Sequence, residues 1–159
     1  MIDLHLHLDG SLSEEDFKYL AKLNKVDLGS DFPNNIYVPM DCKSLDEYLE
    51  RFDLPLKFMQ DEFSLEYITC SLVKRLYKLG YIYAEIRYAP LLHLQNGLTM
   101  DKVVEATIRG LKKGLAETKD FDANLILCCM RHADENLNLM TVEMANKYRN
   151  DKISLKKEE

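Results

Sequence analysis

The 159-residue chain has little of the chemistry that marks several large protein classes. Its four cysteines, Cys42, Cys70 and the adjacent Cys128 and Cys129, form no CxxC pair. Such spacing suggests neither a disulfide framework nor a cysteine zinc site. Positive charge is short: 21 Lys and Arg stand against 27 Asp and Glu, a net charge of −6. A protein that grips a phosphate backbone needs a basic face, so nucleic acid is not the expected partner. A nucleoside carries no phosphate and stays open. No apolar run approaches the roughly 20 residues of a membrane span. The first residues hold neither the basic segment nor the apolar core of a secretory leader. A cytoplasmic protein with no membrane partner is therefore expected. The six glycines build neither GxGxxG nor GxxxxGK[ST] after the first apolar stretch. That counts against a doubly wound nucleotide-binding sheet.

What is present is a globular composition, 47% hydrophobic and 30% charged, at the length of one ordinary domain. The opening stretch DLHLHLDGSL alternates cleanly. Ile2, Leu4, Leu6 and Leu8 share one parity; Asp3, His5, His7 and Asp9 share the other. A strand over residues 2–8 would thus put one face against apolar cover and the other against something polar. Ser13, with Asp16 three residues on, caps a helix to about Asn24, with Phe17, Leu20, Ala21 and Leu23 as its stripe. Residues 27–43 read as loop. Ser44 and Glu47 form a second capping box, and Leu45, Tyr48, Leu49 and Phe52 lie on one face of a short helix that Pro55 ends. A helix over 64–79 stops at Gly80. A strand follows over 81–88, then a helix from Thr99 to about Thr118. The apolar run ANLILCCM, 123–130, suits a strand covered on both faces. A last helix spans about 137–148. Residues 152–155 have the makings of a fourth strand, and 154–159, SLKKEE, read as a charged tail. Strands joined by helical crossovers run parallel, so the expected class is α/β.

His5 and His7 sit two apart, so both imidazoles project to one face of the strand. Imidazole is a common zinc ligand, and a catalytic zinc takes about three protein ligands plus an open position for water. The pair supplies two ligands and cannot complete a site alone. Asp9 continues the same parity past the C-terminal end of the strand, where parallel α/β folds place their ligands. Gly10 lets the backbone turn sharply there. The other candidates point to structure. Glu85 and Arg87 share a strand face and read as an ion pair or hydrogen-bond network. His93, in a loop, and His132, after a strand, read as solvated surface. The Leu45, Tyr48, Leu49 and Phe52 face reads as helix packing unless the fold lays it over the site.

These motifs resemble those of adenosine deaminases in the amidohydrolase superfamily. DLHLHLDGSL is similar to that family's first metal motif. SLDEYLERFDLPL, GYIYAEIRYAP and LILCCMRH follow in the family's order and spacing, over residues 1 to about 153. The resemblance implies the N-terminal portion of a (β/α)8 barrel with helical insertions after the first strand. It implies that His5 and His7 bind Zn2+ and that His7 also lies beside the substrate. Asp9 would hydrogen-bond the ribose, Leu45, Tyr48, Leu49 and Phe52 would form an apolar hood over the purine, and Met130 would line the same pocket. The implied reaction is hydrolytic deamination of adenosine, and of deoxyadenosine, to inosine and ammonia in purine salvage. A full barrel takes about 250 residues or more. The family's third zinc histidine, its general-acid glutamate and its final aspartates have no matching positions here, so no catalytic acid is assigned. The expectation is a truncated or split deaminase that needs a complementing C-terminal half. A non-catalytic half-barrel interaction module, and a deaminase of adenine or AMP, stand as alternatives.

Overall fold

Four strands form one parallel sheet in the computed structural model, which describes residues 1–157. Their spatial order is their chain order: β1 (Ile2–His7), β2 (Tyr83–Tyr88), β3 (Asp122–Cys129) and β4 (Ile153–Lys157). The first crossover carries the helical insertion, α1 (Glu14–Asn24), α2 (Leu45–Leu49), α3 (Asp53–Phe58) and α4 (Glu62–Lys78). The next two are single helices, α5 (Met100–Ala116) and α6 (Glu135–Lys147). Parallel strands added one after another, the first three each followed by helix, are the pattern of a partial (β/α) barrel.

Alternation sorts the strands into two faces. Leu8, Ala84, Ile86, Tyr88, Leu125 and Leu127 face the helices, where they join Phe17, Leu20, Leu65, Leu72, Val104 and Leu111 in one buried core. Each fully buried leucine contributes about 1.5–3 kcal/mol relative to exposure. On the other face of β3, Ile126 and Cys128 pack with Ala89 in a second cluster that Leu91, Leu92 and Met130 cover. The apolar run of β3 is thus covered on both sides. Helices α4 and α5 approach closely because α5 carries two glycines at the contact. A Cβ on Gly110 would stand 2.4 Å from the Glu66 carbonyl oxygen, and one on Gly114 2.7 Å from Val73 Cβ.

Local chemistry sets the boundaries. Ser13 caps α1 by accepting from Asp16 N, and Asp16 accepts from Ser13 N at 2.8 Å, a complete capping box. The box at α2 is half formed. Ser44 accepts from Glu47 N, but the Glu47 carboxylate takes the Lys43 amide instead. Asp61 caps α4, which starts at Glu62 rather than Ser64. Gly80 follows α4 at φ +82°, as a helix stop requires.

Several expectations are corrected. Pro55 does not end a helix. It is the third residue of α3, in the first turn, where its missing N–H has no helical acceptor to lose. The fourth strand extends to Lys157 and pairs with β3 from Leu125↔Ile153 to Cys129↔Lys157. Residues 154–157 are therefore strand rather than tail, and 158–159 lie outside the described residues. The leucine face of β1 is only partly covered: Leu8 is fully buried and Leu6 packs on the core, but Ile2 and Leu4 are 60% and 56% exposed. Leu23 and Leu79 are likewise exposed. The alternation of β1 is also broken. Asp3 pairs with Ala84 and Leu6 with Ile86, so Leu4 and His5 together oppose Glu85. Two residues against one is a bulge, which re-aims the side chains around it.

Candidate functional site

The bulge frees two backbone groups, and side chains take both. The His5 amide donates to Asp3 Oδ1 at 2.9 Å. The Leu4 carbonyl accepts from Arg87 Nη2 at 2.9 Å. Arg87 is 1% exposed, pairs with His7 in the β1–β2 register, and makes no ion pair with Glu85 among the described residues. The network expected of Glu85 and Arg87 is thus a clamp from Arg87 onto the backbone of β1. Arg87 Nε finds no hydrogen-bond partner among the described residues, so the buried guanidinium is only partly compensated, through the Nη2 bond that holds the strand carrying the two histidines.

His5 Nε2 and His7 Nε2 face each other at 3.4 Å. Two nitrogens each about 2.0–2.1 Å from one tetrahedral ion stand about 3.3–3.4 Å apart. The pair therefore fits two corners of a zinc tetrahedron. Among the described residues no third His, Cys, Asp or Glu joins them in a cluster of three. His7 Nδ1 lies 3.9 Å from Asp9 Oδ1, and the Gly10 amide donates to that same oxygen at 3.1 Å. Asp9 is 6% exposed. The Phe52 ring meets His7 edge-on, with centroids 6.4 Å apart, and Tyr48 packs on Phe52 at 5.7 Å. A Cβ on Gly10 would come within 3.2 Å of the Phe52 ring. Glycine thus lets the aromatic wall close on the turn.

A cavity of about 290 Å³ opens beside these groups. His7, Asp9, Tyr48, Leu49, Phe52 and Met130 all line it. Leu45 does not: it is the first residue of the short helix α2 and is 69% exposed. Met130 is held at the end of β3 by Asn138, whose side chain accepts from Met130 N at 2.9 Å and donates to Met130 O at 2.8 Å. Leu56, Ala89 and Leu92 also line the cavity and were not anticipated. Leu56 is four residues past Phe52 on the same helical stripe, a signal masked by placing a helix end at Pro55. Ala89 and Leu92 follow the C-terminal end of β2, where position alone was the clue.

His132 is exposed, as expected, but His93 is corrected. It is fully buried in the turn Pro90–His93, with Nδ1 3.0 Å from the Met59 carbonyl and its ring tilted against Tyr88. Gln60 reinforces this junction by donating to both Leu56 O and Leu92 O at 2.9 Å. Burial lowers the His93 pKa to about 4, so the ring is neutral. Burial also raises the Tyr88 hydroxyl far above its usual range; it shares a 2.7 Å hydrogen bond with Thr107. Loops read as surface unless something marks them as packed, and His93 carried no such mark.

The profile of the Adenosine deaminase family matches residues 1–156. An adenosine deaminase of Haemophilus ducreyi is 46% identical over 153 residues, covering 93% of this chain and 44% of that protein. The chain thus spans under half the length of the curated relatives it matches. Among solved structures, Arabidopsis ADAL complexed with GMP superposes with a TM-score of 0.80 at 26% identity, over 98% of this chain and 49% of that one. An adenine deaminase from Arthrobacter aurescens shares the fold, with a TM-score of 0.79 at 21% identity over 99% of this chain and 49% of that one. No helix among the described residues is long and apolar enough to cross a membrane. On the match across nearly its whole length, this chain belongs to the adenosine deaminase family.

Proposed function

We propose that this chain supplies the metal-binding pair and the nucleoside contacts for zinc-dependent hydrolytic deamination of adenosine and 2′-deoxyadenosine. The products are the corresponding inosine nucleoside and ammonia. The observation that carries this reading is the convergence at the end of β1. A histidine pair with zinc-like spacing adjoins a cavity that has one buried carboxylate and an apolar wall. His5 and His7 would hold Zn2+. When bound, zinc lowers the pKa of a coordinated water to about 7 and so supplies hydroxide at neutral pH. Asp9 accepts a hydrogen bond from a ribose hydroxyl and fixes the nucleoside's orientation. Its negative charge disfavours a phosphate in the same place, which selects nucleosides over AMP. Tyr48, Leu49, Phe52 and Leu92 pack on the purine and exclude water. The general-acid glutamate and the remaining ligand belong to a complementing C-terminal half, which is part of the proposal.

The test is a chimera. Residues 1–153 of this chain replace the matched portion of the Haemophilus ducreyi protein, and turnover of adenosine, adenine and AMP is followed by ultraviolet absorbance. Adenosine turnover above that of AMP and adenine, lost on His5→Ala or His7→Ala, supports the proposal. A folded, zinc-loaded chimera that prefers AMP or adenine, or turns over none of the three, refutes it.

A further inference from the structure

The turn that carries Asp9 is tied to the helix layer by a charge pair whose carboxylate is buried and whose guanidinium is half-buried. Asp16, at the start of α1, has a side chain only 2% exposed. Its carboxylate accepts from Ser13 N and Ser13 Oγ, both at 2.8 Å, from Ser71 Oγ at 2.6 Å and from Arg75 Nη1 at 2.8 Å. The last two donors come from α4. Arg75 then uses its other terminal nitrogen, Nη2, to donate to the Ser11 carbonyl. The Ser11 hydroxyl donates to the His7 carbonyl, and the Ser11 amide donates to Leu8 O at 3.2 Å.

These bonds form one path. It runs from α4 through Arg75 to Ser11, and from Ser11 to the backbone of His7 and Leu8. Asp9 and Gly10 are the residues between those anchors. A capping box needs only Ser13 and Asp16 to start α1. The additional guanidinium is not needed for the cap. A fork that grips a carboxylate and a carbonyl at once is an Arg property, which a lysine ammonium does not reproduce.

We propose that Arg75, held by Asp16, is a positioning residue that fixes the Asp9–Ser11 turn and so aims the Asp9 carboxylate into the cavity. The functional meaning rests on the reading of Asp9 as the nucleoside contact; the geometric core does not. Losing Arg75 frees the Ser11 carbonyl and leaves the Asp16 carboxylate short of its charged partner, while the sheet and the α4–α5 contact are untouched.

The experiment is backbone amide NMR of the chain and its Arg75→Gln, Arg75→Lys and Ser71→Ala variants, with hydrogen exchange at Gly10 and at the core residue Leu125. The Gly10 amide, which donates to Asp9 Oδ1, reports the turn. In Arg75→Gln its shift moves and its exchange accelerates tenfold or more relative to Leu125, on the order expected for a lost charge-assisted bond. Arg75→Lys restores little, and Ser71→Ala, which keeps the fork, leaves Gly10 near the unsubstituted value. A Gly10 amide that keeps its shift and relative protection in both Arg75 variants overturns the proposal. Acceleration that is equal at Gly10 and Leu125 also overturns it, because Arg75 would then serve stability alone. If Arg75→Gln does not fold, Arg75→Lys decides the matter by the same criteria. Failure of the chimera to deaminate adenosine would bear on the proposed function and leave these shifts unaffected.

Discussion

The buried histidine at position 93 makes stability depend on pH in a way that one substitution should remove. His93 Nε2 has no hydrogen-bond partner among the described residues, Nδ1 meets the Met59 carbonyl, and the ring lies against Tyr88. Burial depresses its pKa from the ordinary 6.5 to about 4. Below pH 6.5 the unfolded chain takes up a proton that the folded chain refuses, until the pH falls to about 4. The neutral ring thus contributes stability that is fully present above pH 6.5 and is lost as the pH falls through that window. The two values lie about 2.5 pH units apart, and each unit is worth about 1.4 kcal/mol, so the full loss is about 3–4 kcal/mol. His93→Asn keeps an N–H donor for Met59 O but does not titrate. Urea unfolding of both proteins across this range measures the difference of slopes, and carboxylates common to both cancel. The expected result is an acid loss about 3–4 kcal/mol smaller in the variant. Parallel pH dependences in the two proteins would refute the argument.

Two further outcomes follow from close contacts and clamps. Gly110→Ala drives a methyl group into the Glu66 carbonyl, so α4 and α5 must separate; urea unfolding should show a loss of about 1–3 kcal/mol, well above that of an exposed Gly97→Ala control corrected for its positive φ. Arg87→Met keeps the bulk of the buried side chain but leaves the Leu4 carbonyl at the bulge without its donor. It should cost about 1–3 kcal/mol in unfolding and weaken Zn2+ binding through the displaced His5, measured by dialysis.

Much of the fold was legible because period and punctuation agreed. Ser13 with Asp16, the stripe of α4 ending at Gly80, and the apolar run of β3 each announced one element. The His5, His7 and Asp9 parity announced a polar face at a strand end, and the structure brings His5 to His7 and lays Asp9 beside the cavity. What escaped was set by tertiary context. The bulge at Leu4 and His5 depends on how β2 pairs with β1, which no single strand records. Leu45 keeps the helical spacing of Tyr48 and Leu49, yet as the first residue of α2 it stays 69% exposed while those two reach the cavity, a difference that spacing alone does not record. Arg75 was one charged residue among many on an amphipathic helix. Only the fold shows it reaching Asp16 and Ser11, from positions 59 and 64 residues away.

The central claim is that His5 and His7 are a zinc-binding pair. Equilibrium dialysis of the chain against Zn2+, beside His5→Ala, His7→Ala and the double variant, measures it directly. With two ligands the site is weak, but it should saturate at about one Zn2+ per chain. Each single substitution should lower the affinity by on the order of tenfold or more, and the double variant should show no specific binding. Equal Zn2+ binding by the unsubstituted chain and the double variant would contradict the claim.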